Sequence, residues 1–197
     1  MVSISCKNLP PQSCLRLTVK GCGEQGVFLF SSDYEHYRRL LNKHKLKFGV
    51  KIYGFCLMPE YVQLVLQADT PVDMFRFIEE VGAQYAIYFN NKYQRAGRLW
   101  QKDFRALLIR NFAQLAGCLN DIEREPVRAR LCGSPLEYPW SSYIYRILNV
   151  KNEKKLRTRT GAILDPTTLV RGVFLRRYSL MSLERAVGLF TGCSHSC

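Results

Sequence analysis

Leu15, Leu17 and Val19 alternate with Arg16, Thr18 and Lys20. Side chains alternate across a strand, so this segment predicts a half-buried β-strand with a basic outer face. Gly21, Gly23 and Gly26 then predict a loop. Ser32-Asp33 offers a cap for a helix whose apolar positions include Tyr37, Leu40, Leu41 and Phe48, with Gly49 as its stop. Residues 50–57 are rich in β-branched and aromatic side chains and predict a second strand. Pro59-Glu60 is a tight connection to a third strand over 61–67, so the two form a hairpin. A second helix opens at 69–71, with Met74, Phe77, Ile78, Val81, Tyr85 and Phe89 three or four apart. After a basic loop, residues 104–109 predict a fourth strand. Asn111 caps a third helix, with Phe112, Leu115, Leu119 and Ile122 toward the core and Pro126 ending it.

The order β-α-β-β-α-β-α predicts an α+β fold. Its plan is a ferredoxin-like split β-α-β: one antiparallel sheet with helices on one face and the other face open. Residues 12–148 hold these elements. Residues 149–197 form a basic C-terminal extension. In it, 151–178 carry eight basic side chains against Glu153 and Asp165. Residues 151–160 read as a basic loop and 165–177 as one more helix.

The chain of 197 residues has 29 Lys+Arg against 16 Asp+Glu, a net charge of +13. An excess that large favours a polyanionic partner, either nucleic acid or an anionic membrane surface. No apolar run approaches the roughly 18 residues of a membrane span, and residues 1–10 lack a secretory signal, so a cytoplasmic protein is expected. The eight cysteines then read as reduced thiols. Cys193, His195 and Cys197 cluster at the C-terminus, but a lone terminal group has no second ligand pair to close a metal tetrahedron. Neither a metal nor another cofactor is expected.

Three regions could carry function. Tyr61, Gln63, Val65 and Gln67 share one sheet face, beside Arg16, Thr18 and Lys20. Such a face can stack bases and bind phosphates, or be an ordinary solvated surface. Residues 91–110 interleave Lys92, Arg95, Arg98, Lys102, Arg105 and Arg110 with Tyr93, Trp100 and Phe104. Basic side chains neutralise phosphates and aromatic rings stack unpaired bases, although Trp100 fits core packing equally well. The third region, 121–130, places Asp121 and Arg124 on the helix face opposite Phe112 and Leu119, with Arg128 beyond. Asp121 is then exposed or faces the sheet. Glu123 and Glu125 read as a solvated helix end.

Together these stretches resemble the single-tyrosine HUH transposases, in particular the REP-associated tyrosine transposase group. The resemblance rests on Asp33-Tyr34, Leu57-Met-Pro-Glu-Tyr-Val-Gln-Leu64, Arg95-Ala-Gly-Arg-Leu-Trp-Gln101, Ile122-Glu-Arg-Glu-Pro-Val-Arg-Ala129 and Tyr138-Pro-Trp-Ser-Ser-Tyr143, in order and in register. It implies a ferredoxin-like palm that nicks single-stranded DNA beside a hairpin. It further implies two histidines at i and i+2 on the third strand holding a divalent metal that polarises the scissile phosphate. A tyrosine on the third helix would attack that phosphate and become linked to it.

This chain departs from that pattern at each chemical position. Tyr61 and Gln63 stand at the histidine positions, Asp121 at the nucleophile position, and Glu125 at the usual Asn before Pro126. A phenol and an amide are poor ligands for Mg²⁺ or Mn²⁺. An aspartyl phosphate would hydrolyse rather than exchange. A catalytically inactive, transposase-derived protein is therefore expected, binding hairpin or single-stranded DNA, or structured RNA. Its expected contacts are Arg16, Lys20, Tyr61, Gln63, Arg95, Arg98, Trp100, Lys102, Arg105, Arg110, Arg124 and Arg128. Two alternatives stand beside it. One is an active nickase with replaced residues, using Glu60, Asp121 and Glu125 as a new metal site or Tyr61 as nucleophile. The other is a protein-interaction module. Some relatives pair by exchanging the third helix, so monomer and homodimer are both open.

Overall fold

The structure is a computed structural model that describes residues 9–23 and 25–147. The first compact unit of the chain ends at Tyr143. The readings of 151–160 and 165–177, and of the Cys193, His195 and Cys197 cluster, lie outside the described residues.

The first unit contains β1 (Cys14–Lys20), α1 (Ser31–Lys47), β2 (Lys51–Leu57), β3 (Tyr61–Gln67), α2 (Pro71–Lys92), β4 (Arg105–Ile109) and α3 (Phe112–Arg128). The element order is the one the hydrophobic pattern predicts. The strands form one antiparallel sheet in the order β2-β3-β1-β4. That is the ferredoxin-like plan with crossovers through α1 and α2.

Alternation decides which side of the sheet is filled. Leu15, Leu17, Val62, Leu64 and Leu66 are fully buried and share one core with Tyr37 and Leu41 of α1 and with Met74, Phe77, Val81, Tyr85 and Phe89 of α2. The α2 stripe is the sequence-predicted one. Its start is set by Thr70, whose hydroxyl accepts from the Asp73 N–H at 3.1 Å, and by Pro71 in the first turn. Gly49, at φ +60°, follows α1, a left-handed position that glycine takes without a Cβ penalty.

Four expectations are corrected. The α1 N-cap is Phe30, not Ser32 or Asp33. Asp33 lies inside the first turn, and its Oδ2 accepts from the N–H groups of Leu29 and Phe30, both at 2.9 Å. It therefore supplies the helix end with an acceptor from within. Pro126 does not end α3. The helix runs on to Arg128 and closes with Ala129 N–H donating to the Glu125 carbonyl at 2.8 Å. Phe112 does not face the core, because it sits at the first turn and is 36% exposed.

The fourth correction concerns the sheet's second face, which is not open across its width. α3 packs over β2 and β3, with Leu119 and Ile122 above Gly54. A Cβ at Gly54 would stand 2.4 Å from Leu119 Cδ2 and 3.3 Å from Ile122 Cδ1. Glycine there makes a shallow seat into which α3 lowers its apolar stripe. Among the described residues no helix is long and apolar enough to cross a membrane.

Candidate nucleic-acid interface

The register sets the second face row by row. Lys20 lies opposite Tyr61, Thr18 opposite both Gln63 and Arg105, and Arg16 opposite both Val65 and Leu107. The shared face read from the sequence is therefore formed. Its two halves differ. α3 covers the β2–β3 half, whereas Lys20, Arg105 and Leu107 on the β1–β4 half are exposed.

In the covered half, the side chains at the three positions where the resemblance implies chemistry, Tyr61, Gln63 and Asp121, join one network. The Arg16 guanidinium donates twice to Gln63 Oε1, at 2.7 and 3.2 Å, and reaches Asp121 Oδ2 at 3.5 Å. The Tyr61 hydroxyl donates to Glu125 Oε1 at 3.0 Å. Arg128 donates to Glu125 Oε2 and to the Asp121 carbonyl, both at 2.6 Å, and lies 3.7 Å from Asp121 Oδ1. Two guanidinium groups thus face two carboxylates, and the formal charges cancel. Burial pushes the Tyr61 phenol up to about 12, and the neighbouring Glu125 carboxylate adds to the effect. Tyr61 therefore keeps its proton at neutral pH. Burial alone would raise Glu125, but hydrogen bonds from Arg128 and Tyr61 hold it below the usual carboxylate range.

These residues do not fit the divalent metal that the resemblance implies. The one good oxygen donor at the histidine positions, Gln63 Oε1, already faces a cation. A metal ion there would meet the Arg16 guanidinium at close range. Nor do Glu60, Asp121 and Glu125 form a replacement. Among the described residues no three His, Cys, Asp or Glu side chains group so as to hold a metal. Asp121 reaches the sheet through Arg16 while its side chain stays 51% exposed.

Glu123 is not a solvated helix end. It is fully buried, and the Ser142 hydroxyl donates to its Oε1 at 2.7 Å. Ser142 Oγ also accepts from the Phe55 N–H at 3.1 Å, and the Ser142 N–H donates to the Phe55 carbonyl at 2.8 Å. These bonds tie α3 to β2 through the segment after it. Glu125 is half-buried rather than solvated, because it receives Tyr61 and Arg128.

The basic loop after α2 runs back along the sheet edge. Gln101 N–H donates to the Lys20 carbonyl at 2.9 Å and Cys22 N–H to the Leu99 carbonyl at 2.8 Å. This brings exposed Arg98, Lys102 and Arg105 alongside Lys20. Arg110 is exposed at the far end of β4, and Arg124 is exposed on α3. Arg95 is half-buried, with its guanidinium 5.5 Å from the Phe89 ring centre. Trp100 takes a packing role: its indole N–H donates to the Gly82 carbonyl at 3.0 Å, and its ring meets Tyr37 and Tyr85.

Phe30, which the hydrophobic pattern does not single out, is 64% exposed beside Lys92 and Tyr93. The available signal was a large aromatic residue directly before Ser31-Ser32-Asp33, where a helix cap is normally small and polar.

Residues 24–113 match the family described as transposase IS200 like. The resemblance read from the motifs holds at that level. A REP-associated tyrosine transposase solved bound to a REP hairpin is similar to this transposase-like chain with a TM-score of 0.63 and 18% identity, covering 75% of this chain and 86% of that one. A crystal structure from Deinococcus radiodurans assigned as a transposase aligns at TM-score 0.42 and 16% identity, over 61% of this chain and 97% of that one. No curated protein matches. The first of these likenesses bears out the α+β transposase fold.

Proposed function

We propose that this transposase-like chain is a catalytically inactive binder of hairpin or single-stranded DNA, or of structured RNA. The observation that carries the reading is the closed network at the reaction positions. Gln63, Tyr61 and Asp121 are bound to Arg16, Glu125 and Arg128, so they offer no metal seat, and the Tyr61 phenol is held protonated. An aspartyl phosphate formed at Asp121 would be lost to water rather than passed to a second strand end, which reversible strand transfer does not tolerate. The network is also neutral, so phosphates gain little by entering it.

Nucleic acid is instead drawn to the basic margin formed by Lys20, Arg98, Lys102, Arg105 and Arg110. A net charge of +13 supports that direction, as does the hairpin carried by the similar solved transposase. Each lysine or arginine on a phosphate releases condensed counterions, so affinity should fall steeply with salt.

The test is anisotropy binding of the full chain to hairpin DNA, hairpin RNA and plain duplex at several salt concentrations. The probes are recovered after incubation with Mg²⁺ or Mn²⁺. Salt-sensitive binding to one hairpin class without cleavage is the expected result. A nicked probe carrying covalently attached protein would overturn inactivity, and absence of binding at physiological salt would overturn the nucleic-acid reading. Arg98→Ala combined with Arg105→Ala is expected to weaken binding. It should reduce the slope of log affinity against log salt by about 2, since each lost phosphate contact removes roughly 0.9. An unchanged slope would move the interface elsewhere.

A further inference from the structure

Phe30 stands out against the logic of its position. It occupies the N-cap of α1, yet Asp33 does the capping, so the ring is not needed to start the helix. It lies 64% exposed, outside the core shared by the sheet, α1 and α2. A residue that breaks a local rule without a folding gain points to function.

Its surroundings are rigid and polar. The Tyr93 ring is nearly parallel to Phe30, at 13° and 6.5 Å between centres. The Lys92 ammonium lies 5.7 Å from the Phe30 ring centre and 5.0 Å from that of Tyr93. Both neighbours are pinned from below. Lys92 donates to Asp33 Oδ1 at 2.6 Å and to Ser32 Oγ at 2.8 Å, and the Tyr93 hydroxyl donates to Asp33 Oδ2 at 2.7 Å. The exposed ring therefore sits against a wall that loses little freedom when a ligand arrives.

The wall also leads into the basic loop. Tyr93 lies 4.5 Å from Phe89, and the Arg95 guanidinium lies 5.5 Å from Phe89 on the next step. Exposed Arg98 follows three residues later. Basic side chains thus follow the aromatic pair, with fully buried Phe89 as the packing between Tyr93 and Arg95.

We infer that Phe30, with Tyr93 and Lys92 at its edge, is a stacking site for an unpaired nucleobase. The strand that carries this base places its phosphates toward Arg95 and Arg98. This deepens the nucleic-acid reading above and rests on it. A planar heterocycle fits the site because stacking needs only one free ring face, and its polar edges can meet the ammonium and hydroxyl groups of the rim. An aliphatic protein side chain would need a dry pocket, which a polar rim does not supply. The ligand class is single-stranded nucleic acid flanking a hairpin.

The experiment compares a blunt hairpin with the same hairpin carrying a four-nucleotide unpaired extension, on the 5′ side in one probe and the 3′ side in another. The full-length chain is used as wild type, Phe30→Ala and Phe30→Tyr, with thermal midpoints measured alongside. Wild type is expected to prefer one extended probe, and Phe30→Ala to cut that preference by roughly tenfold, in line with loss of one stacked base. Blunt-hairpin affinity and the thermal midpoint should stay put, and Phe30→Tyr should keep the preference. Equal loss on blunt and extended probes, or no loss on either, would overturn the stacking site. A wild type that binds blunt and extended hairpins alike would also overturn it and leave the proposed function standing. A wild type that binds none of the probes would remove both.

Discussion

Asp33→Ala is expected to lower the unfolding free energy by about 3 kcal/mol, the cost of breaking a buried ion pair by removing one partner. For a domain of this size that corresponds to a fall of roughly 10 °C in the thermal midpoint. The carboxylate is wholly buried, and five donors converge on it: Lys92, Tyr88, Tyr93 and the N–H groups of Leu29 and Phe30. Removal orphans the two N–H groups and both phenols at once, while Lys92, still 30% exposed, can turn to water. Burial by itself would raise the Asp33 pKa, but the hydrogen bonds from Lys92, Tyr93, Phe30 and Leu29 outweigh it and bring the group to about 2. A depressed carboxylate stabilises the fold above its unfolded pKa and loses that contribution as pH falls through the folded value. The window therefore runs from about pH 4 down to about pH 2, and the amount lost across it is about 2 kcal/mol. In Asp33→Asn that part of the pH dependence should vanish. Chemical denaturation of wild type and Asp33→Asn at pH 7, 4, 3 and 2 checks this. Parallel curves would mean that Asp33 is not the group being titrated.

Local pattern carried most of the scaffold and little of the contact map. Leu15, Leu17 and Val19 announce β1 because alternation is a property of the strand itself. The α2 stripe is legible for the same reason at helical spacing. The seat of α3 is not, because its apolar stripe does not say which face of the sheet it will cover. The legible trace was Gly54, a residue without a side chain in the middle of a strand of bulky ones. At the site, the i, i+2 relation of Tyr61 and Gln63 follows from pleating alone. Their partners do not: Arg16 lies 47 residues from Gln63, and Glu125 lies 64 from Tyr61. Asp33 shows the same limit. A Ser-Ser-Asp run reads as a helix cap, but the phenols and ammonium that hold the carboxylate come from α2 and the residue after it, 55 to 60 positions away. The family resemblance supplied what local pattern could not, namely that β3 and α3 meet. The exposed ring of Phe30 left only one local trace, a large aromatic residue directly before the Ser-Ser-Asp run.

Gly54→Val is the substitution expected to separate α3 from the sheet. A Cβ at this position already meets Leu119 Cδ2 at 2.4 Å and Ser142 Oγ at 3.2 Å, and Leu119 is 1% exposed with nowhere to retreat. Overpacking of this kind costs about 2–3 kcal/mol. Because α3 supplies Asp121, Glu125 and Arg128, the polar network should open with it. The Tyr61 phenol should then fall from about 12 toward the ordinary 10, having lost both its burial and its Glu125 neighbour. Two measurements follow this. Hydrogen exchange should rise along α3 while β1 and β3 stay protected, and NMR of tyrosine labelled at the phenolic carbon should show the shifted titration. Unchanged exchange and titration would mean that the seat at Gly54 does not hold α3. Binding to the Lys20–Arg105 margin should survive, since none of its side chains lies on α3. Nicking should remain absent even with the cleft uncovered, because Gln63, bound by Arg16, still offers no metal seat to polarise a phosphate for the freed Tyr61 phenol. Loss of hairpin binding in this variant would instead place the nucleic acid on α3 and move the interface into the cleft.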